Sequence, residues 1–207
     1  MEGRVPEKAE TGSVRGTVPE RTDEPKPYPV CQVSGLPNKS KEKRSEFDKM
    51  KRLLIAIDPG LSGAIASRDP NGRVYVEKMP RDAGGILEYL RVLSKRDPGR
   101  EYLTKVLLEN VGYYRPGNSG PAACTFARHC GELEMALVAL ELPFVKLVPH
   151  SWMKAVFGDS VPHDKRERKE YIYQRVQQMF PNTHVLKYQA DALGMLRYLI
   201  QEKGEKQ

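Results

Sequence analysis

One run constrains this chain more than any other: Arg52 to Gly63, Arg-Leu-Leu-Ile-Ala-Ile-Asp-Pro-Gly-Leu-Ser-Gly. Five consecutive apolar residues, Leu53 to Ile57, suit a strand buried on both faces, and Pro59 and Gly60 stop it just past Asp58. A carboxylate is thereby held at a strand's end. Ala64 to Ser67 resumes, Asp69-Pro70-Asn71-Gly72 turns the chain, and Val74 to Glu77 returns, which is the turn chemistry of a β-meander. An ionised Asp at the edge of an apolar strand needs a partner. Either it accepts from the turn's own backbone, or it faces a metal ion in a site built for phosphate chemistry.

At 207 residues, 39% hydrophobic and 29% charged, the chain is long enough for one sizeable domain with length to spare. The spare length comes first. Residues 1–48 are rich in proline (Pro6, Pro19, Pro25, Pro27, Pro29, Pro37), mixed in charge and without a sustained hydrophobic period. Such a segment cannot bury enough apolar area to offset its ordering entropy, so a disordered tail is expected there and the domain over 49–207. Lys39 to Arg44 within it can touch DNA or simply be solvated. Glu2, Glu7, Glu10, Glu20, Asp23 and Glu24 make the tail too acidic for a transit peptide. No secretory signal core or membrane-length apolar run is present, which predicts a soluble protein. Cys31, Cys124 and Cys130 form no CxxC pair, so neither a disulfide framework nor a zinc site is supported, and a reducing, intracellular setting fits. The net charge of +7 favours an acidic partner such as nucleic acid.

Past the meander, Ile86, Leu87, Leu90 and Leu93 space out one apolar helix face between Gly84-Gly85 and Asp97-Pro98-Gly99. Val106-Leu107-Leu108-Glu109 is a short buried strand that again ends on a carboxylate. The loop Asn110 to Gly120 carries Tyr113, Tyr114 and Arg115 among glycines, an exposed placement suited to nucleic acid. A long helix over Pro121 to Leu142 puts Phe126, Cys130, Leu133, Leu137 and Leu140 on one stripe, serving as core or as a dimer seam. Phe144 to Val148 reads as a further strand. Pro149 then opens a short helix in which Trp152 packs and Lys154 has a claim on phosphate. Asp164 and Glu167 have capping-box spacing ahead of a basic helix with Lys165, Arg166, Arg168, Lys169 and Arg175. Its first turn is the densest basic cluster of the domain, a DNA contact or a solvated face. The last helix starts near Lys187, turns Ala192, Met195, Leu196 and Leu199 to the core, and carries Asp191 in its first turn, where the helix dipole also favours an acid.

This order of elements predicts a mixed α/β domain in which Asp58, Glu109 and Asp191 come from separate elements. If the strands bearing the first two are neighbours, their ends converge, and the last helix can bring the third across the same edge. Three carboxylates at one spot repel unless cations join them. Magnesium or manganese would answer that need, since hard cations take oxygen ligands and a pair can activate water and stabilise the leaving oxygen of a phosphodiester.

Ile-Asp-Pro-Gly-Leu-Ser-Gly-Ala (57–64), Leu-Leu-Glu-Asn-Val (107–111), Pro-His-Ser-Trp-Met-Lys (149–154) and Ala-Asp-Ala-Leu (190–193) together resemble the RuvC-type Holliday-junction resolvases, especially their phage and chloroplast branch. The resemblance extends over about Arg52 to Ile200. It implies a ribonuclease H-like mixed sheet flanked by helices, a homodimer, and divalent-metal-dependent paired nicking of four-way DNA junctions in the cytoplasm at the nucleoid, or in an organelle. Asp58, Glu109 and Asp191 take the family's metal-ligand positions, with two Mg2+ or Mn2+ ions per site expected. The chain departs from the pattern at the fourth ligand, usually an acid three or four residues before the last Asp, where it has Tyr188 and Lys187. A lysine there opposes a cation but can hold the scissile phosphate. His184, seven residues before Asp191, substitutes only if the chain bends there, and is otherwise structural; His163 and His129 have a weaker claim. Bacterial members tend to carry an aromatic three residues past the strand-end Glu, where this chain has Gly112 followed by Tyr113 and Tyr114. A junction-binding protein whose fourth ligand has decayed is the second reading. An actin-like or sugar-kinase ATPase also opens on a strand followed by Asp and Gly, but needs a second lobe for which the domain has no room.

Overall fold

The computed structural model describes residues 52–95, 103–112 and 119–202. The expected tail over 1–48 and the loop residues Tyr113, Tyr114 and Arg115 lie outside them.

The apolar run forms β1 (Arg52–Asp58), and the meander continues through β2 (Ala64–Arg68) and β3 (Val74–Lys78), each antiparallel to the strand before. The turn between β2 and β3 is held by Asp69, whose Oδ1 accepts from the amides of Asn71 and Arg73, both at 2.8 Å. Next come α1 (Ala83–Ser94), β4 (Leu103–Glu109), α2 (Gly120–Ala139) and the short edge strand β5 (Phe144–Leu147). The five strands are ordered β3-β2-β1-β4-β5, with β1, β4 and β5 parallel, and the α/β class and mixed, helix-flanked sheet are as the motifs imply. β1 and β4 pair with Ile57 opposite Leu108, so Asp58 and Glu109 finish side by side.

Alternation explains why β1 is apolar throughout. Leu54 and Ala56 face one core cluster with Trp152, Leu193 and Leu196, while Leu53, Ile55 and Ile57 face another with Ile86, Leu90, Leu133 and Leu137. Each buried Leu or Ile here contributes roughly 1.5–3 kcal/mol by leaving water, so helices on both faces are what makes the continuous run stable. The first cluster is roofed by α3 (Pro149–Phe157), α4 (Lys165–Met179) and α5 (Ala190–Gln201).

Two boundaries differ from the sequence reading. α2 stops at Ala139 rather than near Leu142, because Glu141 turns into the left-handed region at φ 54° and the Leu142 amide donates back to the Leu137 carbonyl at 2.9 Å. The last helix is preceded by a 3-10 turn over Lys187–Gln189, in which the buried Gln189 side chain accepts from the Leu186 amide at 2.9 Å. α5 is also buried beyond the expected stripe, with Ala190, Leu193, Gly194 and Ile200 enclosed as well. β5 is less buried than its sequence suggests, with Val145 53% exposed on the sheet edge. No described helix is long and apolar enough to cross a membrane.

Candidate active site

Asp58 owes its position to the turn that follows it. Gly60 sits at φ +113° with Phe126 of α2 packed 3.2 Å from where a Cβ would be, and the Gly63 amide donates to the Gly60 carbonyl at 2.8 Å. A Cβ on Gly63 would fall 2.0 Å from the Asp58 carbonyl oxygen, so only glycine lets the chain fold back this tightly. Glu109 ends the parallel neighbour, and Asp191 enters from the first turn of α5. All three acids line one cleft of about 740 Å³.

Their environments are unequal. Glu109 is 8% exposed and accepts from the Trp152 indole N–H at Oε1, 2.9 Å away. Asp58 is half-buried and in hydrogen-bond contact with the Glu109 carboxyl. Its pKa is raised well above the ordinary aspartate value, first by burial and then by the charges of Glu109 and Asp191, which Lys169 only partly offsets. Like charges this close disfavour each other's ionised form, which is why Asp58 holds its proton to higher pH than an isolated aspartate. Asp191 is paired instead: the Lys169 ammonium from α4 donates to its Oδ2 at 2.7 Å. Burial alone would lower the Lys169 pKa, but Asp191's charge and hydrogen bond, with the charges of Asp58 and Glu109, outweigh it and raise it.

The donor set is all oxygen, which suits a hard divalent cation in chemistry. Among the described residues, however, no three His, Cys, Asp or Glu side chains are drawn close enough to close a metal cage. The cation these acids now face is Lys169.

Helical periodicity sorts the basic residues of α4. Lys165, Arg168, Lys169 and Ile172 fall on one face and line the acid cleft. Arg166 belongs to a neighbouring groove with Glu170 and Lys187. Asp164 caps the helix by accepting from the Arg166 and Glu167 amides at 2.8 and 2.9 Å, which holds its pKa below the usual range.

The remaining sequence candidates lie elsewhere. Lys187 pairs with Glu170 at 2.7 Å and lies 5.7 Å from the Tyr173 ring centroid, facing the neighbouring groove rather than the acids. Tyr188 packs against the core under Lys78. His184 is exposed and does not line the cleft. Lys154 is exposed and pairs with Asp159 at 3.3 Å. Sequence reasoning named Lys169 in the basic helix but not its ion pair with Asp191, and it missed the N–H of Trp152 on Glu109, for which the sequence carries no signal. His129, buried on α2, also lines the cleft, its Nε2 3.5 Å from the Pro80 carbonyl oxygen.

No protein-family model matches the chain, and no curated protein does. Among solved structures it is similar to RuvC of Thermus thermophilus, at 18% identity, covering 73% of this chain and 96% of that one with a TM-score of 0.47. It is similar to the T. thermophilus RuvC in complex with Holliday junction substrate at 18% identity, with 74% and 96% covered and a TM-score of 0.48. It is also similar to the yeast mitochondrial Holliday junction resolvase, at 17% identity, with 85% and 93% covered and a TM-score of 0.37.

Proposed function

We propose that this chain is a divalent-metal-dependent endonuclease that nicks four-way DNA junctions as a homodimer, in the cytoplasm at the nucleoid or in an organelle. The observation that carries the reading is the convergence of Asp58, Glu109 and Asp191, from two strand ends and a helix, in one cleft walled by Lys165, Arg168 and Lys169. A cluster of acids costs stability unless a cation or a bound group repays it, and a basic wall beside it matches a phosphodiester backbone. The junction itself is proposed from the four ordered motifs.

In this reading Asp58, Glu109 and Asp191 hold the ions. Magnesium or manganese, when bound, supplies the Lewis acidity for in-line hydrolysis to a 5′ phosphate and a 3′ hydroxyl. Lys165 and Arg168 grip the backbone and set the strand's path across the cleft. Asp58 and Glu109 act there as anions. Lys169, leaving Asp191, carries its charge toward the phosphate.

The Lys169–Asp191 ion pair and the open acid cluster favour a second reading, a junction-binding protein that does not cut. One experiment separates them: incubation of a labelled synthetic four-way junction in Mg2+ or Mn2+, beside a linear duplex and an Asp58→Asn control. Symmetric nicks on the junction alone, absent in the control, are the expected result. Tight junction binding without cutting in either metal establishes the second reading.

A further inference from the structure

We infer that Trp152 is a positioning residue for Glu109, its indole N–H orienting the carboxylate; the inference rests on the nuclease reading, in which Glu109 is a metal ligand. A fully buried indole needs an acceptor for its N–H. Here that acceptor is an acid in the cleft: Trp152 is 1% exposed and its Nε1 lies 2.9 Å from Glu109 Oε1. Carboxylates that bind metal work best when an outer donor fixes their rotamer and leaves lone pairs directed at the ion.

The indole is itself held rigidly. Phe157 meets it edge-on, with ring centroids 6.1 Å apart and planes at 66°. Gly194 of α5 lies so close that a Cβ there would be 2.7 Å from Trp152 Cζ3. α5 is also the helix that carries Asp191. Trp152 thus bridges two acids that share no element: it bonds to Glu109 on β4 and bears on the helix presenting Asp191. Packing alone would be served by phenylalanine. What phenylalanine lacks is the N–H.

This is the only tryptophan in the chain, so it can be replaced or observed without interference. The test uses the full chain in three forms: wild type, Trp152→Phe, and a form with Trp152 replaced biosynthetically by benzothienylalanine, which keeps the indole's shape and puts sulfur in place of N–H. Mn2+ binding is measured calorimetrically, junction cleavage as separate kcat and KM, and folding by thermal melting. Both altered forms are expected to melt within a few degrees of wild type and to keep KM within about two-fold, while kcat and Mn2+ affinity fall about ten- to a hundred-fold. Wild-type values of both overturn the inference and leave Trp152 as packing. Mg2+ is further expected to shift the indole emission of wild type but not of Glu109→Gln; bound metal with unchanged wild-type emission also overturns it. If wild type neither binds Mn2+ nor cuts, the nuclease reading fails and this inference with it, whereas loss confined to the altered forms supports both.

Discussion

Asp58 in the folded chain releases its proton later than it would unfolded, because burial and then the neighbouring acids disfavour its charge. Between the ordinary aspartate range and that raised value the folded state binds more protons, so stability of the metal-free protein falls as pH rises through the window. Asp58→Asn removes the penalty while keeping the shape. Its metal-free form should melt above wild type at neutral pH, by about 2–4 °C for each kcal/mol of repulsion relieved, and the two should converge in acid. Lys169→Met should act oppositely on binding: with the competing ammonium gone, the Mn2+ dissociation constant falls several-fold while junction turnover drops. Weaker Mn2+ binding by that variant would show that Lys169 assists the ion rather than displacing it. The three acids were legible in sequence because two close apolar strands and one opens a helix beside a buried face. The pairing of Lys169 with Asp191 was not, because the basic cluster was weighed by density along the chain and not by helical face. Lys187 sits close to Asp191 in sequence, yet the 3-10 turn carries it to the other groove.

Elements, more than single contacts, deliver these side chains to one place. The β1–β2 turn closes only through Gly63, so Gly63→Ala should cost about 3 kcal/mol or more, read as a lowered urea midpoint, since the added carbon meets backbone that cannot swing away. Asp164→Ala should uncap α4 and lower the urea midpoint slightly, by much less than Gly63→Ala. Strand positions, the meander and helix starts were readable from Pro, Gly and Asp punctuation. The left-handed Glu141 that ends α2 was not, because glutamate carries no propensity for that conformation and tertiary packing imposes it.

Across the whole molecule, charge is the property that reaches furthest. The net +7 of the chain includes a basic wall beside the acids, so junction binding should weaken as salt rises. Removing Lys165 or Arg168 should make the slope of log affinity against log salt shallower by about 0.9 for each phosphate no longer neutralised, measured by titration over several ionic strengths. Arg166→Met, on the neighbouring groove, should leave that slope unchanged. The mixed α/β class could be anticipated from the order of elements and the two-sided hydrophobic pattern, whereas the strand order and the pairing of acid with lysine depend on tertiary contacts that no periodicity records. The acids also impose an order in time. Asp58 and Glu109 meet only after a parallel pairing between β1 and β4, which must wait for the meander and α1 to be spelled out, and Asp191 arrives on the last described helix. A growing chain on the ribosome therefore carries no complete cluster until α5 has emerged and docked. Docking of that helix completes the trio of acids, and a chain cut short before it lacks Asp191 altogether.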